Sequence, residues 1–168
     1  MILETERLFI KELTVKDAPF FYHLVNDPDW LRFISDRNVN SIADAKDYLI
    51  AKIIPSYEKF GFGFYLVKTK NGTHSIRIAG LIDREGMEHV ELGFAFLPKY
   101  RGKGYAYEAR KEIMSYASTE LKIEPLVAIT DLENIKSAKL LEHLGFRFDK
   151  NIQLPDFEKP SKLFIPKK

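Results

Sequence analysis

The sequence predicts an α/β fold, a mostly central sheet flanked by helices, and three observations lead there. The apolar period switches from helical to two-residue spacing in the middle of the chain and back again. The second half then runs strand, helix, strand, helix, strand. Residues 90–97, Val-Glu-Leu-Gly-Phe-Ala-Phe-Leu, are almost wholly apolar, the mark of a strand buried on both faces.

Taken in order, Leu8, Phe9 and Ile10 form a short apolar strand. Thr14 and Asp17 have the spacing of a capping box. The helix behind it shows an apolar stripe of Phe20, Phe21, Leu24 and Val25, and Pro19 is tolerated only in its first turn. Ser41 with Asp44 opens a second helix carrying Ala45, Tyr48, Leu49 and Ile53, which Pro55 ends or kinks. Phe62, Phe64 and Leu66 alternate as a strand does. Residues 76–82 make the next one, with Asn71-Gly72 turning between them. After residues 90–97, the positions Tyr105, Ala109, Ile113, Ala117 and Leu121 recur every four residues, a helix. Residues 125–130 are a short buried strand. Residues 137–144 are helical and stop at Gly145. Phe146, Phe148, Ile152 and residues 163–165 supply the last strands. No internal repeat or linker divides the chain, so residues 1–168 are expected to form one domain.

Composition narrows the function. The chain has 168 residues, 45% hydrophobic and 30% charged, with no cysteine. That excludes disulfides, thiolate nucleophiles and zinc ribbons, and fits a cytoplasmic setting. The N-terminus lacks the basic start of a signal peptide, and no apolar run reaches the ~18 residues of a membrane helix. With 26 basic against 24 acidic residues, a net +2, neither nucleic acid nor membrane is an expected partner. His23, His74, His89 and His143 lie at no metal-ligand spacing, so no metal is expected.

The chemistry concentrates in Leu97-Pro98-Lys99-Tyr100-Arg101-Gly102-Lys103-Gly104-Tyr105-Ala106, between the buried strand and a helix. Two glycines and an alanine let backbone approach a ligand closely, and a helix start offers free N–H groups and partial positive charge. Together they suit a pyrophosphate. The plain alternative is a glycine-rich turn carrying solvated basic residues. The stretch matches neither a P-loop nor a G-x-G-x-x-G turn.

Arg101-x-x-Gly104-x-Ala106, after a strand and before a helix, resembles the pyrophosphate loop of the GNAT superfamily of N-acetyltransferases. Asn134-x-x-Ser137-x-x-x-Leu141-x-x-x-Gly145-Phe146 and the opening Thr5-x-Arg7-Leu8 are similar to the RimJ/RimL-like branch, which acetylates ribosomal-protein N-termini. The resemblance runs from about Leu3 to Phe148. It implies a GNAT-like fold, a mixed, mostly antiparallel sheet of about six to seven strands with splayed central strands, flanked by about four helices.

By that resemblance the chain would be an acyl-coenzyme A-dependent N-acetyltransferase, with acetyl-CoA as donor and a primary amine of a protein N-terminus or small molecule as acceptor. On the same ground, backbone of Phe96 and Leu97 would pair with the pantetheine arm. Arg101, Gly102, Lys103, Gly104, Tyr105 and Ala106 would hold the pyrophosphate, and Asn134 would contact the cofactor from the other side. As a residue, Asn134 equally suits a helix N-cap. A homodimer is left open.

Attack requires a neutral amine, and amines are largely protonated at neutral pH, so a base is useful. Glu91 entering an apolar strand is the candidate, with a raised pKa if poorly paired; an ion pair at the strand edge is the other reading. Many family members carry a tyrosine acid four residues before the Gly-Phe pair, but that position here is Leu141. Ser137 is the substitute, as a hydrogen-bond donor to the leaving sulfur, or else a small polar residue in a first helical turn. The missing tyrosine keeps a second class open, a catalytically weak acyl-CoA-binding sensor module. The acceptor wall falls on residues 26–37. There Asp27, Asp29 and Asp36 with Trp30 and Phe33 either receive a cationic amine or form a solvated acidic loop with packed aromatics.

Overall fold

In the computed structural model, which describes residues 2–34, 36–72, 74–96 and 102–168, two sheets meet along one parallel contact. β1 (Ile2–Glu4), β2 (Leu8–Glu12), β3 (Phe64–Thr69), β4 (Ser75–Ile82) and β5 (Glu91–Phe96) form an antiparallel sheet in that order. β6 (Ala128–Asp131), β8 (Ser161–Pro166) and β7 (Phe146–Ile152) form the second, also antiparallel. An isolated parallel bridge, Glu91 to Val127, connects them. The eight described strands exceed the expected six to seven because the Thr5–Arg7 turn folds Ile2–Glu4 back on β2, register Leu3 to Ile10.

The helices form where their caps place them. Thr14 and Asp17 make a reciprocal capping box, opening a 3₁₀ turn (Val15–Asp17) that runs into α1 (Ala18–Val25). Asp27 caps α2 (Pro28–Phe33), an element periodicity does not reveal because six residues are under two turns. The Ser41 side chain accepts from the Asp44 N–H at the start of α3 (Ile42–Tyr48). Pro55 does not end the helical run. A π-helical segment, Leu49–Ile53, absorbs the break, and α4 (Ile54–Phe60) continues to a left-handed Gly61. Pro19, Pro28 and Pro55 all sit in first turns, where a missing N–H leaves no bond unmade. α5 (Tyr105–Thr119) and α6 (Ile135–His143) complete the chain's helices among the described residues.

Each face of the large sheet is covered. On one, Tyr65, Val67, Ala79, Leu81 and Leu92 pack with Ala109, Ile113 and Ala117 of α5 and Leu141 of α6. On the other, Leu66 and Ile78 pack with Phe21, Leu24, Trp30, Ala45 and Leu49 of the N-terminal helices. A strand buried on both faces needs no polar alternation, as β3 and β4 show.

Candidate functional site

The site is set by where two parallel strands stop pairing. The Leu92 N–H donates to the Val127 carbonyl at 2.8 Å, and the Val127 N–H donates to the Val90 carbonyl at 3.0 Å. Beyond this bridge β5 stays with β4, while β6 turns to β8, Ala128 opposite Phe164. The strands run parallel, so α5 follows the end of β5 and α6 follows the end of β6 on one side of the opening. Open α/β sheets bind ligands at such divergences, outside the strands' carboxyl ends.

At the first rim stand Gly102, Lys103 and Gly104. Gly102 has φ +77° and Gly104 φ +78°, conformations that cost other residues about 1 kcal/mol or more. Gly104 is the N-cap of α5 and, among the described residues, no side-chain cap bond is made to the helix. Its first intrahelical bond is Glu108 N–H to the Gly104 carbonyl, 3.1 Å. The N–H groups ahead of it, including those of Tyr105 and Ala106, have no intrahelical acceptor. Leu97 and Arg101 lie outside the described residues, and of Phe96 the backbone closes β5 opposite Arg77.

At the second rim, Asn134 is the N-cap of α6, its Oδ1 accepting from the Ser137 N–H at 3.2 Å. The capping reading is therefore realised. Ser137 is buried behind it, 6% exposed. Leu141, where a tyrosine acid would stand, is fully buried in the core.

Glu91 opens β5 beside the parallel bridge, 4% exposed. It is not poorly paired: Arg84 Nε lies 2.5 Å from its Oε2. The Arg84 guanidinium also stacks 5.0 Å from the Phe157 ring, so the β4–β5 and β7–β8 connections meet over Glu91. The alternative reading, an ion pair at the strand edge, is realised, with a partner that no local spacing announces.

Among the described residues of 26–37, Trp30 follows the packed reading, while Phe33 is only half-buried. Asp27 Oδ1 accepts from the Asp29 N–H at 3.0 Å, and Asp36 Oδ1 from the Asn38 N–H at 2.8 Å. Trp30 belongs to the core beneath the N-terminal helices, and Arg32 lies over Phe33 at 4.6 Å. Arg32 also reaches Glu133 at 3.6 Å, tying α2 to the connection before α6.

Three features escape the sequence reading. Arg77 and Arg110 are buried between β4 and α5. Burial pushes Arg77 down to about 9. Burial and the nearby charge of Arg77 push Arg110 down, with Glu91 acting the other way. The one signal available is Arg77 inside Ile76-Arg77-Ile78-Ala79, a charge where only apolar residues fit. The third is a contact of Arg7 with the Gly102–Gly104 turn, carried by residues the sequence shows only as a signature.

An acetyltransferase (GNAT) domain model matches residues 7–147, most of the chain. The chain belongs to the GNAT acetyltransferase family. As a member it is an acyl-coenzyme A-dependent N-acetyltransferase, as expected from the loop and the Asn134–Phe146 motif. It is 29% identical to the uncharacterized N-acetyltransferase YnaD of Bacillus subtilis over 147 residues, 88% of this chain and 83% of that one. It is 38% identical to the spermidine N(1)-acetyltransferase of Escherichia coli K12 over 72 residues, 40% of this chain and 39% of that one. Among solved structures it resembles RimL, a ribosomal L7/L12 alpha-N-protein acetyltransferase in complex with coenzyme A. The TM-score is 0.82 at 14% identity, covering 98% of this chain and 97% of RimL. At that identity the likeness is one of fold, and it is the GNAT fold expected. Among the described residues no helix is long and apolar enough to cross a membrane.

Proposed function

We propose that this GNAT member transfers the acetyl group of acetyl-CoA to a primary amine, that of a protein N-terminus or a small molecule. The observation that carries the reading is the divergence of β5 and β6 past the Glu91–Val127 bridge, with uncapped α5 on one rim and α6 on the other. A pantetheine arm would lie in the gap along β5 and pair with the backbone of Phe96, and with that of Leu97 by the family resemblance. Gly102, Lys103, Gly104, Tyr105 and Ala106 would receive the pyrophosphate on main-chain N–H groups, with Arg101 adding charge. Asn134, beyond its cap, would meet the arm from α6.

In the reaction the amine nitrogen bonds to the thioester carbonyl carbon, the carbon–sulfur bond breaks, and the thiolate leaves. A backbone N–H of β5 would stabilise the oxyanion, a role worth about 10²–10³ in rate. The amine proton would pass to Glu91, directly or through water, while Arg84 holds the carboxylate in place. Ser137 would offer its hydroxyl to the departing sulfur. The two acceptor classes follow the relatives: RimL acts on a protein N-terminus and the spermidine enzyme on a polyamine. Family membership favours turnover over the binding-only module.

Calorimetric titration of acetyl-CoA tests the donor, followed by thiol release with spermidine and with a peptide bearing a free α-amine. Binding in the micromolar range and thiol release with one acceptor support the reading. Gly104→Trp is a blunt control, because even a Cβ there meets Arg7 Nη2 at 3.3 Å. Gly102→Trp has more room, since a Cβ at Gly102 meets nothing within 4 Å, but its φ of +77° strains any side chain, so both variants are checked by thermal melting. No binding by the wild type would end the acyl-transfer reading for this site.

A further inference from the structure

The β1–β2 turn reaches across the molecule to the start of α5. Arg7 Nη1 donates to the Lys103 carbonyl at 2.8 Å, inside the two-glycine turn. Its Nε and Nη2 grip Glu108 Oε2, both at 2.6 Å, and its backbone N–H donates to Glu108 Oε1 at 3.0 Å. Thr5 Oγ1 donates to the same Oε1 at 2.5 Å. The guanidinium also lies 4.7 Å from the Tyr105 ring centroid. Thus one side chain fastens residues 103, 105 and 108 together, across the junction where left-handed glycines become helix.

We propose that Arg7 is a positioning residue for the donor. By bonding the Lys103 carbonyl and the Glu108 carboxylate at once, it locks the Gly102–Gly104 turn in the conformation that presents its N–H groups to the pyrophosphate. The proposal rests on the reading that this turn binds the pyrophosphate.

Geometry makes Arg7 a support rather than a ligand. It approaches from the β1–β2 edge of the sheet, whereas the β5–β6 opening lies beyond β5, at the other end of the strand order. All three guanidinium nitrogens already have acceptors. A turn with two φ > 0 residues has many alternative shapes, since glycine visits both halves of φ space. The carbonyl of Lys103 lies between those glycines, so pinning it removes the freedom that would otherwise be lost on binding. The fork also explains the residue type. Arginine presents several donors in a rigid plane, and lysine offers one compact charge.

The experiment compares two donors, acetyl-CoA and acetyl-pantetheine, which share the thioester and differ in the pyrophosphate and nucleotide. They are tested with the wild type, Arg7→Ala, Arg7→Lys and Glu108→Gln, each checked by thermal melting. Arg7→Ala is expected to raise the KM for acetyl-CoA about tenfold or more, kcat nearly unchanged. Its kcat/KM for acetyl-pantetheine should stay within about twofold of wild type. Arg7→Lys should behave like Arg7→Ala although it keeps the charge, and Glu108→Gln should fall between. Equal losses on both donors, or a wild-type KM in Arg7→Lys, would overturn the proposal. The reading beneath it fails differently: a wild type that uses both donors equally well has no pyrophosphate site to position.

Discussion

Arg84 and Glu91 close on each other across the β4–β5 connection, Nε to Oε2 at 2.5 Å, at the point where β5 is still bonded to the segment entering β6. The pair is well enclosed, with side chains 20% and 5% exposed. A buried carboxylate so held has two jobs available, anchoring the connection and taking a proton.

Two variants separate those jobs. Arg84→Ala removes the hydrogen-bonded partner of a buried carboxylate, leaving the nearby charge of Arg110, and is expected to destabilise the fold by about 2–3 kcal/mol, read as a lower urea midpoint. Glu91→Gln keeps the shape and is expected to cut kcat by about 10²–10⁴ with acetyl-CoA affinity unchanged. Wild-type kcat in Glu91→Gln would remove it as the base.

Asn134→Ala loses the α6 cap. A melt shifted by the equivalent of about 1 kcal/mol is expected from capping alone. A weaker acetyl-CoA titration in the same variant is the added effect expected from a donor contact. An unchanged titration would leave Asn134 as a cap and nothing more.

Glu108 makes the Arg7 contact pH-dependent. Burial raises its carboxyl, but hydrogen bonds from Thr5 and Arg7 and the Arg7 charge outweigh it and hold the group below its usual 4.5. Because the folded value is depressed, the stabilisation is complete above about pH 4.5 and is lost as pH falls through the folded value. The Tm gap between wild type and Glu108→Gln is therefore expected to be constant above about pH 5.5 and to close in stronger acid. A gap independent of pH would contradict the ionic contact.

Gly80→Ala probes the sheet. A Cβ there meets the Gly63 carbonyl oxygen at 2.2 Å and Phe64 Cα at 2.7 Å, both backbone. Neither can rotate away, so β3 and β4 must separate. A loss of about 3 kcal/mol is expected by denaturant titration. A near-neutral result would mean the two strands pair more loosely than their register indicates.

Much of the fold is legible because its signals are local. Thr14 with Asp17 and Ser41 with Asp44 make their bonds within three residues, and the four-residue repeat Ala109, Ile113, Ala117 is one face of one helix. Pro55 is the partial exception. The break is readable, but the π-helical segment ahead of it, with Leu49 and Ile53 buried, is not. α2 escapes for want of length.

The candidate site divides along the same line. Composition and residue type point to the glycine turn and Glu91, and the family resemblance adds Asn134 and Ser137, signals that all lie along the chain. Tertiary structure alone decided that Arg84 pairs with Glu91 and that Arg7 meets Glu108 across 101 residues of sequence. It also decided that Arg77 and Arg110 lie buried beneath α5. The physical reason is range. A cap or an amphipathic stripe is satisfied by groups within one or two turns, while a contact between distant segments exists only once strand order and sheet packing have brought them together.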